Sequence, residues 1–333
     1  MILVTGGTGH LGNVLVRGLE ELGQPIRVLA LPGEDTTALE GTNAEILRGN
    51  ILDSSSLDQA MQGVETVFHM AALVSIEPGR EDLLYKVNVD GTKNVLTSSL
   101  KAGVKKFIYT SSIHALARPP LGVPIDENQP FDTQNEAGPY DRTKALASVE
   151  VLKANQKGLD AVILCPTGVI GPYDYRRSEM GEQIIEWMNR KVSFLVKGAF
   201  DWVDVRDVAK AHILASQKGM PGQTYIVGGH RVTLSGIQGA VARLVNNHAL
   251  AITIPLPLAI WATYLTDLYY KINRKRPRFT RYSLETVNSN SDISFSRAQM
   301  ELGYQPRPFV QTIQDTVTWW LSNQGRIQPS LRA

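Results

Sequence analysis

The sequence predicts an α/β fold in which a doubly wound parallel sheet is followed by a smaller, mostly helical lobe. Up to about residue 165, short apolar runs alternate with segments whose apolar residues recur at helical spacing. Strands that alternate with helices form a parallel sheet covered on both faces, and right-handed connections make that sheet doubly wound. After Pro166 the pattern is less regular, prolines and aromatic residues are more frequent, and helical patterns dominate.

The elements of the first half follow one another in a regular order. Apolar runs bounded by turn residues predict strands, and apolar residues at helical spacing that stop at glycine predict helices. The predicted strands are Ile2–Thr5, Ile26–Leu31, Glu45–Arg48, Val64–Ala71, Lys106–Thr110 and Ala161–Cys165. The predicted helices are Leu11–Leu22, one around Leu57–Met61 that Asp53 or Ser54 caps, Val87–Ala102 and Tyr140–Lys157. Val203–Val205 and Thr224–Val227 are later strands that could return to the sheet.

Composition limits the classes of function. The chain has 333 residues, 43% of them hydrophobic and 20% charged, with a formal net charge of +2. The near-neutral charge gives no electrostatic reason to expect nucleic acid as a partner. The 6 histidines are scattered, without an H-E-x-x-H or Cys/His cluster, so no metal site is predicted. The single cysteine, Cys165, fits a reducing compartment, and the start of the chain lacks the pattern of a signal peptide, so a cytoplasmic protein is expected.

One apolar segment, Leu250 to Ile272, requires a membrane test. Pro255 and Pro257 interrupt it, and Asp267 and Lys271 lie in its second half, so the uninterrupted run is too short to span a bilayer. We expect a helix that packs on the protein's own surface or at a subunit contact. Because a basic run follows at 274–278, an amphipathic helix lying on a membrane is the alternative, and failure to bind anionic vesicles at low salt would remove it.

A glycine-rich turn lies between the first strand and the first helix. Residues 5–12 read Thr-Gly-Gly-Thr-Gly-His-Leu-Gly, which fits G-x-x-G-x-x-G through Gly6, Gly9 and Gly12 and G-x-G-x-x-G through Gly7, Gly9 and Gly12. Glycines permit the tight turn and let the backbone approach a pyrophosphate, while the helix N-terminus presents N–H groups to its charge. A strand before the motif and a helix after it are the context that makes such a motif informative. The sequence therefore predicts a dinucleotide-binding Rossmann domain.

The choice between NAD and NADP stays open. A carboxylate at the end of the second strand would bind the ribose hydroxyls of NAD, and an arginine nearby would accept the 2′-phosphate of NADP. The sequence offers Ala30-Leu31-Pro32 at that point, so neither device is present. Glu34 and Asp35 follow slightly later, and Arg27 lies within the strand.

A Tyr-x-x-x-Lys pattern, Tyr140 to Lys144, carries the predicted proton chemistry. On a helix this spacing places both side chains on one face. A lysine ammonium near the phenol is expected to favour the phenolate and so lower the pKa of the tyrosine toward neutral pH. The helix follows the strand that ends in Thr110, Ser111 and Ser112, and a serine at that strand end could donate a hydrogen bond to a substrate oxygen.

These motifs together resemble the extended short-chain dehydrogenase/reductase family, of the NAD-dependent epimerase/dehydratase type. The resemblance covers about the whole chain and is nearest to the dihydroflavonol-reductase-like branch, which includes bacterial aldehyde-reductase-like and hopanoid-associated epimerase-like proteins. Besides the glycine motif, the serine pair and Tyr-x-x-x-Lys, the resemblance rests on Val67–Ala72, Asn88–Thr92, Cys165–Pro172 and Val203–Ala209.

The resemblance implies a role for each matched position. Ser112 resembles the serine that binds the reacting oxygen and Tyr140 the proton donor or acceptor, while Lys144 would also hold the nicotinamide ribose. Asn50 stands in place of the aspartate that is commoner at the adenine contact, and Leu31 stands where many NADP-using relatives carry arginine. The implied cofactor-binding positions are Gly6, Gly7, Thr8, Gly9, His10, Leu11, Gly12, Leu31, Asn50, Ile51, Ala71, Ala72, Thr110, Tyr140, Lys144, Pro166 and Val169.

Three functions fit these residues. The first is an NAD(P)-dependent oxidoreductase that reduces an aldehyde or ketone, with Tyr140 as general acid. The second is a nucleotide-sugar epimerase or dehydratase with a tightly held dinucleotide; residues 198–203 contain no arginine for a substrate diphosphate, which favours the first. The third is a cofactor-sensing regulator without catalysis, against which the intact Ser112, Tyr140 and Lys144 argue.

The sequence also gives expectations for organisation. Residues 1–165 are expected to form the NAD(P)-binding domain, 166–325 mainly a substrate-binding lobe, and 326–333 a tail. The expected partner is a small carbonyl compound. The family resemblance further implies a homodimer built from the helices near 88–102 and 140–157.

Overall fold

The computed structural model describes residues 1–75, 79–247, 250–262, 282, 284 and 289–323. Its centre is a sheet of seven strands in which every neighbouring pair runs parallel. The strands of this sheet, numbered along the chain together with those outside it, are β1 (Ile2–Thr5), β2 (Ile26–Ala30), β3 (Glu45–Arg48), β4 (Thr66–His69), β5 (Lys106–Thr110), β6 (Ala161–Pro166) and β10 (Thr224–Val227).

The strand order creates a cleft at one place in the sheet. The order is β10-β6-β5-β4-β1-β2-β3, so the chain moves outward from β1 in one direction and then returns to continue from β4 in the other. The direction of winding reverses between β1 and β4, which are direct neighbours. In doubly wound sheets the crevice outside the carboxyl ends of the strands at such a point binds the ligand.

Helices cover both faces of the sheet. In chain order the helices are α1 (His10–Glu20), α2 (Ser54–Ala60), α3 (Glu81–Tyr85), α4 (Gly91–Ala102), α5 (Pro139–Gln156), α6 (Glu179–Asn189), α7 (Val205–Lys218), α8 (Leu234–Leu244) and α9 (Phe309–Asn323). One core lies between the sheet, α1 and α7, and the larger core lies on the other face with α2, α4 and α5 and continues into the lobe. The helices therefore bury the sheet on both sides, as its nearly uninterrupted apolar strands require.

A buried histidine ties two strands to a helix. The Nδ1 atom of His69 lies 2.7 Å from the hydroxyl of Thr5, and its Nε2 atom lies 2.9 Å from the hydroxyl of Thr92. Burial lowers the pKa of His69 to about 3, with a smaller contribution from the charge of Lys144, so the ring is neutral at ordinary pH. Its role is to satisfy polar groups in the core.

The lobe combines helices with two small sheets. The strands β7 (Gly168–Ile170), β9 (Ala199–Asp204) and β11 (His230–Thr233) form a three-stranded sheet, and β8 (Val192–Val196) pairs in parallel with β12 (Leu250–Ile254). Helices α6, α8 and α9 belong to this part of the chain.

Most sequence predictions of elements are confirmed, with shifted ends. The strands Glu45–Arg48 and Lys106–Thr110 have the predicted bounds, and the Asp53 side chain caps α2 by accepting hydrogen bonds from the N–H groups of Ser55 and Ser56. The predicted helix Val87–Ala102 begins with a π-helical segment, Lys86–Asp90, before α4.

Other predicted elements differ from the structure or lie outside the residues that it describes. The prediction that Thr224–Val227 returns to the main sheet is confirmed, but Val203 and Asp204 lie in β9 of the lobe sheet and Val205 begins α7. The start of the apolar segment, Leu250–Ile254, is a strand and not a helix, because its Ile-Thr-Ile sequence is β-branched and pairs with β8. Residues 263–281 and the expected tail 326–333 lie outside the described residues.

Candidate active site

Three glycines of the loop are required by close packing. A Cβ atom on Gly12 would lie 2.1 Å from the carbonyl oxygen of Gly6, and one on Gly6, whose φ is +73°, would lie 2.7 Å from the backbone nitrogen of Ala71. A Cβ atom on Gly7 would meet a methyl group of Val28 at 2.7 Å. These contacts bring the turn close to β2 and to the segment after β4, across the point where the winding reverses.

The fourth glycine, Gly9, is less tightly enclosed than the other three. A Cβ atom there would lie 3.3 Å from the carbonyl oxygen of Gly6, which is a tight contact but not an overlap like the one at Gly12. Gly9 is the N-cap of α1, it supplies no side-chain cap, and the first turn of α1 contains no acidic residue. An uncapped helix N-terminus without nearby acidic residues suits the pyrophosphate of a dinucleotide. The loop therefore fits the predicted cofactor.

The remaining loop residues connect the glycines to the second half of the chain. The Nε2 atom of His10 lies 2.9 Å from the carbonyl oxygen of Pro172, and the amide of Asn13 donates to the carbonyl oxygens of Gly9 and Tyr173. Leu11 is half-buried and packs against the core on the α1 face of the sheet. These contacts fix where the lobe begins relative to the loop.

The positions predicted to bind the cofactor near β3 and β4 follow the carboxyl ends of these two strands. The Asn50 side chain accepts a hydrogen bond from the N–H of Leu52 at 2.9 Å, and Ile51 is buried against Gly91. After β4, the N–H of Ala71 donates to the hydroxyl of Thr5 at 3.3 Å, and Ala72 follows half-buried.

The positions predicted for the nicotinamide end follow β6. Pro166 is the last residue of β6, and Val169 lies in β7 opposite Val203 of β9. Both are close in sequence to the point where the chain leaves the main sheet for the lobe.

The Ser112 side chain interacts with the Tyr140 phenol and lowers the pKa of that group. Ser112 lies two residues beyond the end of β5, and Tyr140 lies in the first turn of α5, which begins at Pro139. Proline suits the first helical position because its fixed φ is already helical and its missing N–H is not needed there. The fold thus brings together the two residues that were predicted from the sequence to bind the substrate oxygen and to transfer the proton.

The pKa of Tyr140 is raised above its ordinary value, whereas the sequence predicted that it is lowered. Burial raises it to about 12, the charge of Asp141 adds to the rise, and the hydrogen bond from Ser112 opposes it. The expectation that Lys144 lowers it overlooked that Tyr140 loses water as well, and desolvation disfavours the phenolate. The phenol is therefore protonated at neutral pH.

The Lys144 ammonium points toward the end of β5. Its Nζ atom donates to the hydroxyl of Tyr109 at 2.9 Å and to the carbonyl oxygen of Thr110 at 2.5 Å. Burial lowers the pKa of Lys144 to about 7. The lysine thus lies one turn beyond Tyr140 on α5 and is attached to the strand end that carries Ser112.

Hydrogen bonds distinguish the two serines and Thr110. The hydroxyl of Ser111 lies 2.7 Å from that of Ser148 on α5, so Ser111 fastens the helix to the strand, and Ser112 is the serine that contacts Tyr140. The hydroxyl of Thr110 lies 2.8 Å from the Nε2 atom of His212 on α7.

Asp141 lies at the centre of a polar network that the sequence did not reveal. Its side chain is 0% exposed, and its two oxygens accept hydrogen bonds from the hydroxyl of Tyr282 at 2.6 Å and from the guanidinium of Arg118 at 3.1 Å. Arg118 also lies 3.2 Å from the Nδ1 atom of His114, whose ring stacks on Phe200. Burial raises the pKa of Asp141 to about 6. These residues come from distant parts of the chain, so no local pattern could have shown them.

A second group of charged residues lies at the other end of the cleft. Leu31 is 48% exposed at the end of β2, and its N–H donates to the carboxylate of Glu34 at 2.8 Å. Arg176, from the loop between β7 and α6, forms an ion pair with the same carboxylate. Neither Glu34 nor Arg176 was selected as a site residue from the sequence.

The described part of the chain contains neither a membrane-spanning helix nor a cluster of metal ligands. There, no helix combines the length and apolar character needed to cross a bilayer. Over the same residues, no group of three or more His, Cys, Asp or Glu side chains could hold a metal ion.

Comparison with known proteins identifies relatives over nearly the whole chain. Residues 3–229 match the model of the 3-beta hydroxysteroid dehydrogenase/isomerase family. Sterol demethylase protein B of Methylococcus capsulatus is 34% identical over 322 residues, which cover 96% of this chain and 97% of that protein. A putative dihydroflavonol 4-reductase of Synechocystis is 32% identical over 329 residues, 98% of this chain and 95% of that protein.

Solved structures share the fold. The crystal structure of gox2253 is 32% identical, with a TM-score of 0.84, and covers 98% of this chain and 99% of that one. The dTDP-glucose 4,6-dehydratase DesIV from Streptomyces venezuelae, solved with NAD and TYD bound, is 20% identical, with a TM-score of 0.79 over 98% of this chain and 99% of that one. The DesIV likeness shows the fold alone.

Proposed function

Because the chain belongs to the 3-beta hydroxysteroid dehydrogenase/isomerase family, we propose that it is an NAD(P)-dependent reductase of a carbonyl group in an aldehyde or ketone. The observation that carries the proposal is the arrangement at the end of β5, where Ser112 interacts with the Tyr140 phenol and Lys144 donates to the carbonyl oxygen of Thr110 at 2.5 Å. A protonated phenol beside a hydroxyl donor suits the reduction of a carbonyl, because the developing negative charge on oxygen needs a hydrogen bond and then a proton.

The dinucleotide, when bound, supplies the hydride that goes to the carbonyl carbon. The glycine loop and the N-terminus of α1 would hold its pyrophosphate, and Lys144 would hold the ribose near its reacting end. Tyr140 gives its phenolic proton to the carbonyl oxygen, and Ser112 donates a hydrogen bond to the same oxygen. Since burial keeps the pKa of Tyr140 at about 12, the proton is in place at neutral pH.

The alternative on the same scaffold is a nucleotide-sugar epimerase or dehydratase. Such an enzyme regenerates its dinucleotide in every turnover and has to bind a substrate diphosphate. Residues 199–204 form β9 and contain no arginine, and Phe200, Asp201 and Trp202 within it are buried. This composition favours a substrate of lower charge and supports the reductase.

The test is a screen of aldehydes, ketones and nucleotide sugars with NADH and NADPH. Net oxidation of the dinucleotide by a carbonyl compound supports the proposal, whereas sugar-nucleotide conversion without net oxidation supports the alternative. With the best substrate, Tyr140→Phe should lower kcat about 10²- to 10⁴-fold, because general acid catalysis contributes on that order, and should leave dinucleotide affinity nearly intact. Tyr85→Phe, which alters a tyrosine that is 43% exposed, is the matched control. Wild-type turnover in Tyr140→Phe would contradict the assignment.

We also propose a homodimer that pairs through the helical layer of α4 and α5. These helices pack side by side, and the family resemblance implies that they form the contact between two copies. Sedimentation velocity across a concentration series measures the association, and a monomer at all concentrations would contradict it.

A further inference from the structure

Three side chains that are distant in sequence meet at the end of β2. The carboxylate of Glu34 turns back toward the strand, and its Oε2 atom accepts the N–H of Leu31 at 2.8 Å. Its Oε1 atom accepts the hydroxyl of Thr8 at 2.7 Å and also contacts the guanidinium of Arg176. The carboxylate therefore lies between Leu31, the residue that follows β2, and the glycine loop.

The turn that carries Glu34 is held from two sides. Arg176 donates from Nε to the carbonyl oxygen of Thr8 at 3.1 Å and from its terminal nitrogen to the Thr8 hydroxyl at 2.7 Å. Arg48, at the end of β3, donates to the carbonyl oxygens of Leu31 at 3.1 Å and Glu34 at 2.8 Å. These contacts fix the direction of the Glu34 side chain before any ligand binds.

The carboxylate is ionised at neutral pH. Burial works against ionisation, but the hydrogen bonds from Thr8 and Leu31 and the charge of Arg176 outweigh it and keep the pKa of Glu34 below its usual range. The side chain of Glu34 is 18% exposed and that of Arg176 is 45% exposed. The anionic group is thus the more enclosed member of the pair, while the cation faces solvent.

We infer that Glu34 reads the 2′ position of the adenosine ribose and makes the protein select NAD over NADP. In doubly wound folds this position is read by a carboxylate at the end of the second strand, which binds the ribose hydroxyls and repels a 2′-phosphate. Leu31 supplies no carboxylate there, but the hydrogen bond between Glu34 and the Leu31 N–H brings one to the same strand end. The inference rests on the proposed function only in that a dinucleotide occupies this cleft.

Arg176 has a supporting role in this assignment. An unpaired arginine at this place would attract a 2′-phosphate, but its guanidinium already contacts the Glu34 carboxylate and the Thr8 hydroxyl. A phosphate would have to compete with both contacts and lie close to an anionic carboxylate. Arg176 is therefore a positioning residue that orients Glu34.

The experiment measures the dissociation constants of NAD⁺ and NADP⁺ by calorimetry, without any carbonyl substrate. We expect the wild type to bind NAD⁺ at least about tenfold more tightly, which is an ordinary size for removal of a charged clash. Glu34→Gln keeps the shape, removes the charge and releases Arg176, so it should bring the ratio of the two constants to near unity, mainly through tighter NADP⁺ binding. Arg176→Met should weaken NAD⁺ and leave the preference for NAD⁺ in place.

Arg177→Met is the matched control, because Arg177 is the next residue and pairs with Glu182, with 2.7 Å between the charged atoms. It should leave the ratio unchanged. Glu34→Ser serves as a second charge-removing variant in case Glu34→Gln does not fold, and thermal melting checks all variants.

A wild type that binds NADP⁺ as tightly as NAD⁺, or a folded charge-removing variant that keeps the wild-type ratio, would overturn the inference. Failure to reduce any carbonyl would refute the proposed function and leave this ratio unaffected. Binding of neither dinucleotide would refute both.

Discussion

The Asp141 carboxyl should stabilise the folded protein at low pH and not at high pH, which is the opposite of most carboxyl groups, and replacing it by asparagine should remove this pH dependence. The side chain is 0% exposed, and burial raises its pKa to about 6 from an ordinary value of 3.8, against the hydrogen bond from Tyr282 and the charges of Arg118 and Arg142. Because the folded protein holds the proton more tightly than the unfolded chain, the stabilisation is fully present below pH 3.8 and is lost as pH rises through about 6.

The size of the effect follows from the shift. Each pKa unit corresponds to about 1.4 kcal/mol, so the difference of roughly two units amounts to about 3 kcal/mol between the two ends of the pH range. Asparagine does not titrate, so the free energy of unfolding of the wild type minus that of Asp141→Asn isolates the contribution of this carboxyl. This difference should fall by up to about 3 kcal/mol between about pH 4 and about pH 7.

Urea unfolding at several pH values measures the difference directly. Tyr282→Phe provides an internal comparison: it removes a hydrogen bond that lowers the pKa of Asp141, so in that background the fall should extend to higher pH. A difference that stays constant with pH, or one that grows as pH rises, would refute the reasoning that burial controls this group.

Two further predictions concern the glycine loop and the single cysteine. Gly12→Ala should lower both stability and dinucleotide affinity, because its Cβ would lie 2.1 Å from the Gly6 carbonyl oxygen. Gly9→Ala, whose Cβ would lie 3.3 Å from the same oxygen, should cost less stability than Gly12→Ala but still lose at least about tenfold in affinity. Denaturation and calorimetry of both variants test this, and equal stability loss in both would contradict the assignment. Cys165 is 0% exposed, and burial raises the pKa of its thiol to about 12. A thiol reagent should therefore react with Cys165 only after the protein unfolds. Rapid reaction with the folded protein would contradict the burial of this strand.

The strands of the sheet could be predicted because each one is recognisable from a short stretch of sequence. The segments Glu45–Arg48 and Lys106–Thr110 are short apolar or mixed runs bounded by turn residues, and both have their predicted bounds. The glycines of the loop could be found for the same reason, since a motif between a strand and a helix is readable within about a dozen residues.

The polar networks could not be predicted, because their members are far apart. Glu34 and Arg176 are separated by 142 positions, and Asp141 and Tyr282 by 141. The sequence shows that Glu34 lies soon after the second predicted strand, but it contains no sign that Arg176 pairs with Glu34 or Tyr282 with Asp141. Only the folded chain brings each pair together.

The prediction that the pKa of Tyr140 is lowered was wrong for a related reason. The Tyr-x-x-x-Lys spacing shows that a cation is near, but it contains no information on how much water each group loses. Desolvation is a property of the packed site, and here it raises the pKa of Tyr140 and lowers that of Lys144. A charge pattern in the sequence therefore identifies the residues of a site more reliably than it predicts their protonation states.

The position of β10 has a consequence for how the protein is made. This strand, Thr224–Val227, pairs with β6, and α7 packs against α1, so the seven-stranded sheet and its covering helices are completed by segments that follow β7 in the chain. A nascent chain that has emerged only to residue 166 exposes one side of β6 as an unpaired template for other strands. About sixty further residues must therefore be synthesised before β10 can pair with this edge of β6. Chaperones that bind extended segments would act in that interval.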